Sequence, residues 1–197
     1  SEDESYETPL DIYNYIRTHI ASEFGIKYRR QADDVKTAGK ATASENAALL
    51  VTMLRDKGYD AKYVHGQAVI SEEQVKYMTG ASSIDKAADV YKEYGIQPTK
   101  LTSNGATIGL IVEHIWVRAY LPMTDYRGAK DNQGEYAWIG LDAYIKSSDF
   151  TQVEALDLLP YSLQYETRGL NGSREPIVSD DIPESLIPEE EPTTVAA

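Results

Sequence analysis

A chain of 197 residues with a formal net charge of −13 is long enough for one domain with a substantial core. Its sign argues against nucleic acid and anionic membrane surfaces as partners, because both select basic surface. The absence of cysteine excludes disulfides and zinc–thiolate sites and leaves the redox compartment open.

In chain order, Ser1–Glu7 is an acidic segment ahead of a domain expected over residues 8–160. Thr8-Pro9 opens a helix, with Thr as cap and Pro at the first helical position. Ile12, Ile16 and Ile20 form its stripe, and the helix is expected to end near Gly25. His19 lies near that stripe and reads as a partly buried structural histidine. Ile26–Lys40 is polar, carries Asp33, Asp34 and Gly39, and reads as a loop.

Thr42–Gly58, TASENAALLVTMLRDKG, is the segment on which the rest depends. Thr42 and Glu45 form a capping box. Ala47, Leu50, Val51 and Leu54 recur at helical spacing, and Ala48, Leu49 and Met53 make a second face apolar, so the helix belongs inside the domain. Arg55, Lys57 and Gly58 close it. A side chain at position 43 sits over the helix N-terminus, where amide donors and partial positive charge favour an anion and depress a thiol pKa. The occupant is alanine.

Beyond Gly58, DAKYVHGQAVI reads as a strand, with Gly66 a bulge candidate and His65 a strand residue. Ser71 with Gln74 caps a short helix running to about Gly80, and Ser83–Tyr94 is a second helix stopped by Gly95. Gln97–Gly105 reads as a loop with an Asn104-Gly105 turn. Ile108–Leu121 and Glu135–Asp142 alternate as strands, joined by a long hairpin loop over Pro122–Gly134, so they are expected to pair antiparallel. That pairing brings the His114 and Asp142 phases onto one face. A histidine oriented by a carboxylate is the base half of a nucleophilic triad.

Three blocks, in order, resemble the transglutaminase-like members of the papain-like cysteine protease and transglutaminase superfamily. ASENAALLVTMLRDKGYDAKYVHG is similar to the family's nucleophile helix and following strand, HIWVRAYL to its histidine strand, and WIGLDAYIK to its aspartate strand. The resemblance implies an α+β fold in which a central buried helix packs on an antiparallel sheet with peripheral helices. It places the family's cysteine on Ala43, its histidine on His114 and its aspartate on Asp142. Glu45 matches the acid beside the nucleophile, and Arg118 stands where the family usually has glutamate. The helices between Ser71 and Tyr94 correspond to an insertion. Ser44, Trp116 and Trp138 are candidates for the cleft. Ser44 is rotated about 100° from position 43 around the helix axis and is a poor substitute nucleophile. No metal site carries over, and no cofactor is implied.

Residues 173–197 hold seven acidic residues, four prolines and one arginine. This composition reads as an extended tail or linker within a C-terminal extension from 161. Glu189-Glu190-Glu191 reads as a solvated charge run rather than a metal site. No apolar run reaches the roughly 18 residues of a membrane span, and no signal peptide is recognised at the start. Without a thiol at position 43 no thioester can form. The leading expectation is therefore an inactive domain that binds a protein or peptide in its cleft, within a larger bacterial surface or secreted protein bearing further domains. A second reading is a cysteine protease, amidase or transglutaminase whose nucleophile has been replaced by alanine. A third is a purely structural interaction module. A cytoplasmic location is compatible with all three.

Overall fold

The computed structural model describes residues 6–122, 136–146 and 163–190. Helix α1 (Pro9–His19) starts as expected: Thr8 Oγ1 accepts from the Asp11 amide, and the Asp11 carboxylate accepts from the Thr8 amide. It stops at His19 rather than near Gly25. Ile20 turns extended, and Ala21–Ser22 (β1) leaves the helix to pair in parallel with Lys40–Ala41 (β2). His19 is exposed rather than partly buried, and its ring stacks on Tyr15 at 4.8 Å.

The segment read as a loop contains a helix, α2 (Ala32–Ala38). Asp33 and Asp34 lie in its first turn, where they complement the helix dipole, and Gly39 ends it in the left-handed conformation. Val35 is its single buried residue, so no periodic apolar pattern marked it. Helix α3 (Ala43–Asp56) is the central helix, with Leu49, Leu50 and Leu54 completely buried. Burying each such side chain contributes about 1.5–3 kcal/mol. It packs against α1, α2 and the two longest strands.

Those strands, β3 (Asp60–Ser71) and β5 (Ala106–Pro122), run antiparallel along the whole of β3. Gly66 is not a bulge: the register passes through Gly66 and its partner His114 without a shift. Helices α4 (Glu72–Thr79) and α5 (Ile84–Glu93) follow, capped by Ser71 and Ser83. The second stretch read as a loop holds β4 (Thr99–Ser103), which forms a hairpin with β5 through Asn104-Gly105, both at positive φ. That turn matches the twist of paired strands. The β4 sequence TKLTS is almost wholly exposed and carries no apolar alternation to reveal it.

Strand β6 (Tyr136–Leu141) pairs antiparallel with the C-terminal half of β5, Val117 opposite Leu141. The connecting loop lies, from residue 123, outside the described residues. The expected extended tail is corrected over residues 173–190. β7 (Glu166–Arg168) and β8 (Ile177–Ser179) both pair with β3. Leu186 is buried in the core, and its carbonyl accepts from the Tyr28 amide at 2.9 Å. The Arg55 guanidinium also donates to the Asp180 carbonyl at 2.8 Å. Ladder bonds and one apolar anchor hold down a segment whose composition suggests the opposite. Residues 147–162 and 191–197, with the end of the expected charge run at Glu191, lie outside the described residues. No described helix is long and apolar enough to cross a membrane.

Candidate active site

Ala43 is the first residue of α3 and only 2% exposed. The Thr42 and Glu45 side chains cap the helix reciprocally, at 3.3 Å to the Glu45 amide and 2.9 Å from the Thr42 amide. The Ala43 amide donates to the Gly25 carbonyl at 3.1 Å. Gly25 sits at φ 128°, a conformation that L side chains rarely adopt. Glu45 is fully buried and accepts from the Arg30 amide at 2.6 Å and from the Arg30 Nη2 at 2.8 Å. The same guanidinium pairs with Glu23. Burial pushes the Glu45 carboxyl up, but hydrogen bonds from Arg30 and the Thr42 amide outweigh it and hold the group below the usual carboxylate range. Glu45 therefore anchors the loop before α2 to the helix start.

His114, on β5, directs Nε2 at Asp142 Oδ2, 2.7 Å away, and both residues are buried. Asp142 lies one residue beyond β6. Its Oδ1 accepts from the amides of Tyr144 (2.8 Å) and Ile145 (3.4 Å). Its Oδ2 also accepts from the Tyr165 hydroxyl at 2.5 Å. Burial pushes the Asp142 carboxyl up, yet the charge of His114 and its hydrogen bond, with those of Tyr165 and the Tyr144 amide, hold it below the ordinary value. Arg17 braces the turn from α1, donating to the Ile145 carbonyl at 3.0 Å. With Nε2–H given to the carboxylate, the ring presents Nδ1 as its remaining lone pair.

Ala43 and His114 line one pocket together with Gly25, Tyr91, Ile96 and Tyr144. Its volume is about 20 Å³, room for about one water. Ser44, Trp116 and Trp138, expected in the cleft, do not line this pocket. Ser44 is fully buried, and its hydroxyl donates to the Ile26 carbonyl. Trp116 is buried beside the histidine, ring centroids 6.1 Å apart. Trp138 faces outward, with Arg118 and Lys62 near its ring at 5.7 and 5.9 Å. His65 is a buried strand residue whose Nε2 lies 2.8 Å from Glu113 Oε1.

A histidine oriented by a carboxylate beside the capped start of a buried helix is the arrangement that activates a thiol. The family profile described as transglutaminase-like superfamily matches residues 1–143. The chain belongs to the transglutaminase-like superfamily. No curated protein and no solved structure gives a significant match. As a member of that superfamily the chain has the mixed helix and sheet fold, but its helix start holds a methyl group, so no acyl group can be carried at position 43.

Several site residues escaped the sequence reading. Tyr91 of α5 and Tyr144 wall the pocket, so the insertion belongs to the site. Tyr165 reaches Asp142 from a segment read as an extension. The alternation of Leu163, Tyr165 and Thr167 was the available signal for the last of these.

Among the described residues no group of histidines and carboxylates has the arrangement of a metal site.

Proposed function

We propose that this domain is a non-catalytic transglutaminase-like module that uses its degenerate acyl-transfer site to bind a peptide or partner protein. The observation that carries the reading is that the His114 ring, hydrogen-bonded to Asp142 behind it, lines the same pocket as Ala43. A buried carboxylate needs its lone pairs satisfied to be tolerated, and that of Asp142 has four donors. The aromatic and aliphatic walls suit a neutral side chain whose terminal carboxamide N–H reaches the His114 Nδ1. The further proposal of a larger bacterial surface or secreted parent rests on the family resemblance.

A second reading, a structural module with a closed cleft, is favoured by one observation: the pocket is water-sized, so a bound side chain requires the Phe24–Tyr91–Tyr94 aromatic cluster to move. Titration with short glutamine-containing peptides separates the two. Under the binding reading, the His114 imidazole and Ala43 methyl resonances shift saturably, and His114→Ala abolishes the Ala43 response. Unshifted resonances throughout favour the closed module.

A further inference from the structure

The segment Leu163–Arg168 runs from Gly140 past His114 and Asp142 to the edge of the sheet, where β7 joins β3, and two glycines make room for it. A Cβ built on Gly140, two residues before Asp142, would sit 3.1 Å from the Leu163 side chain. A Cβ built on Gly66, the register partner of His114, would sit 2.5 Å from the Arg168 carbonyl oxygen. Any side chain at Gly66 thus displaces the strap or the strand. The strap is held at one end by β7 pairing with β3, and by the Gln74 Nε2 donating to the Gln164 carbonyl at 3.2 Å.

Tyr165 sits between these two contacts. Its ring meets His114 edge-on at 5.9 Å and Trp116 at 6.1 Å. Its hydroxyl donates to the same carboxylate oxygen, Asp142 Oδ2, that His114 uses. We propose that Tyr165 is a positioning residue of the His–Asp pair, delivered by this strap and acting on His114 through Asp142. This rests on the reading of His114 as the base-position residue.

With Oδ1 taken by the Tyr144 and Ile145 amides and Oδ2 by His114 and Tyr165, the carboxylate cannot rotate without breaking bonds. The imidazole is thereby fixed with Nε2–H inward and Nδ1 toward the pocket. Burial and the neighbouring Asp142 charge push the Tyr165 hydroxyl well above its ordinary range, so it remains a donor. A second donor on Oδ2 also draws carboxylate charge away from His114, making Asp142 a weaker stabiliser of the imidazolium. The other titratable groups around the pair are Tyr13 and Arg17 from α1, Tyr91 from α5, Glu113 beside His114 on β5, and Tyr144 and Lys146 beyond β6. Their side chains make no hydrogen bond to the Asp142 carboxylate among the described residues.

The test uses the full chain with Ala43 in place and follows the His114 ring nitrogens by NMR against pH. Tyr165→Phe keeps both ring contacts and removes only the hydroxyl. The expected result is a rise in the proton affinity of His114, on the order of fivefold for one lost hydrogen bond of about 1 kcal/mol. An unchanged or lowered His114 midpoint in the folded variant overturns the proposal, because a purely structural strap would not raise it. Should the variant fail to fold, the unsubstituted protein still decides. The Tyr165 hydroxyl proton is expected as a slowly exchanging resonance close to the His114 Nε2 proton, and its absence overturns the proposal. Neither readout involves peptide binding, so the site reading and this inference can fail separately.

Discussion

The Asp142 carboxylate and the His114 imidazole meet at 2.7 Å with no acceptor position on the carboxylate left over. Asp142→Asn puts an amide NH₂ against either the Tyr144 and Ile145 amides or the His114 and Tyr165 donors. One donor set then loses its acceptor. Denaturant unfolding is expected to show a loss of about 1–3 kcal/mol, with a changed His114 ring-nitrogen spectrum. Full stability would mean that the four bonds are not formed in solution.

Thr42 ties the start of α3 to two neighbours: its hydroxyl accepts from the Glu45 amide and donates to the Lys27 carbonyl at 2.7 Å. Thr42→Ala is expected to cost about 1 kcal/mol in thermal or denaturant unfolding, within the 0.5–2 kcal/mol range of cap losses. Thr42→Ser should recover most of it, since the hydroxyl is restored.

The dependence of stability on pH follows from the shifted groups. Glu45 and Asp142 are both lowered in the folded chain. The unfolded state therefore binds more protons as the pH drops below their ordinary values of about 4.3 and 3.9. Their stabilising contribution is complete above that window and is lost as pH falls through the folded values. Lys146 is pushed down to about 8, chiefly by burial and then by Arg17. Stability contributed by that group rises with pH between about 8 and its unfolded value near 10.4. Urea midpoints against pH should show both limbs. Glu45→Gln should flatten the acid limb and Lys146→Met the alkaline one.

Ser44 offers the remaining hydroxyl at the helix start, yet it is buried and donates to the Ile26 carbonyl. Assays of ester hydrolysis, peptide hydrolysis and amine transfer should stay at background for the protein and for Ser44→Ala alike. Turnover that vanishes on Ser44→Ala would contradict this and make Ser44 a nucleophile.

Local rules carried the sequence reading where the chain states its own structure. The Thr8, Thr42 and Ser71 caps, the apolar faces of α3 and the alternation of β5 and β6 all act within a few residues. The juxtaposition of His114 and Asp142 followed from the phase of two paired strands. What escaped depends on partners distant in sequence. Helix α2 rests on Val35 alone, and β4 is a polar strand stabilised by pairing with β5. The segment after Gly169 is acidic and proline-rich yet docks through β8 and Leu186. Gly66 looked like a bulge because a glycine in a strand has two readings, and the close approach of the Arg168 carbonyl is invisible in one dimension.

A thiol placed at the start of α3 is expected to find the electrostatics of a thiolate site. Ala43→Cys places a thiol at a capped helix N-terminus in the pocket that His114 lines, and both features depress a thiol pKa. The measurement is the rate of alkylation by iodoacetamide as a function of pH. The expected titration midpoint lies well below the ordinary thiol value of about 8.5, moves back up when His114→Ala is added and shifts less with Asp142→Asn. A midpoint near 8.5 that does not respond to His114→Ala would contradict it.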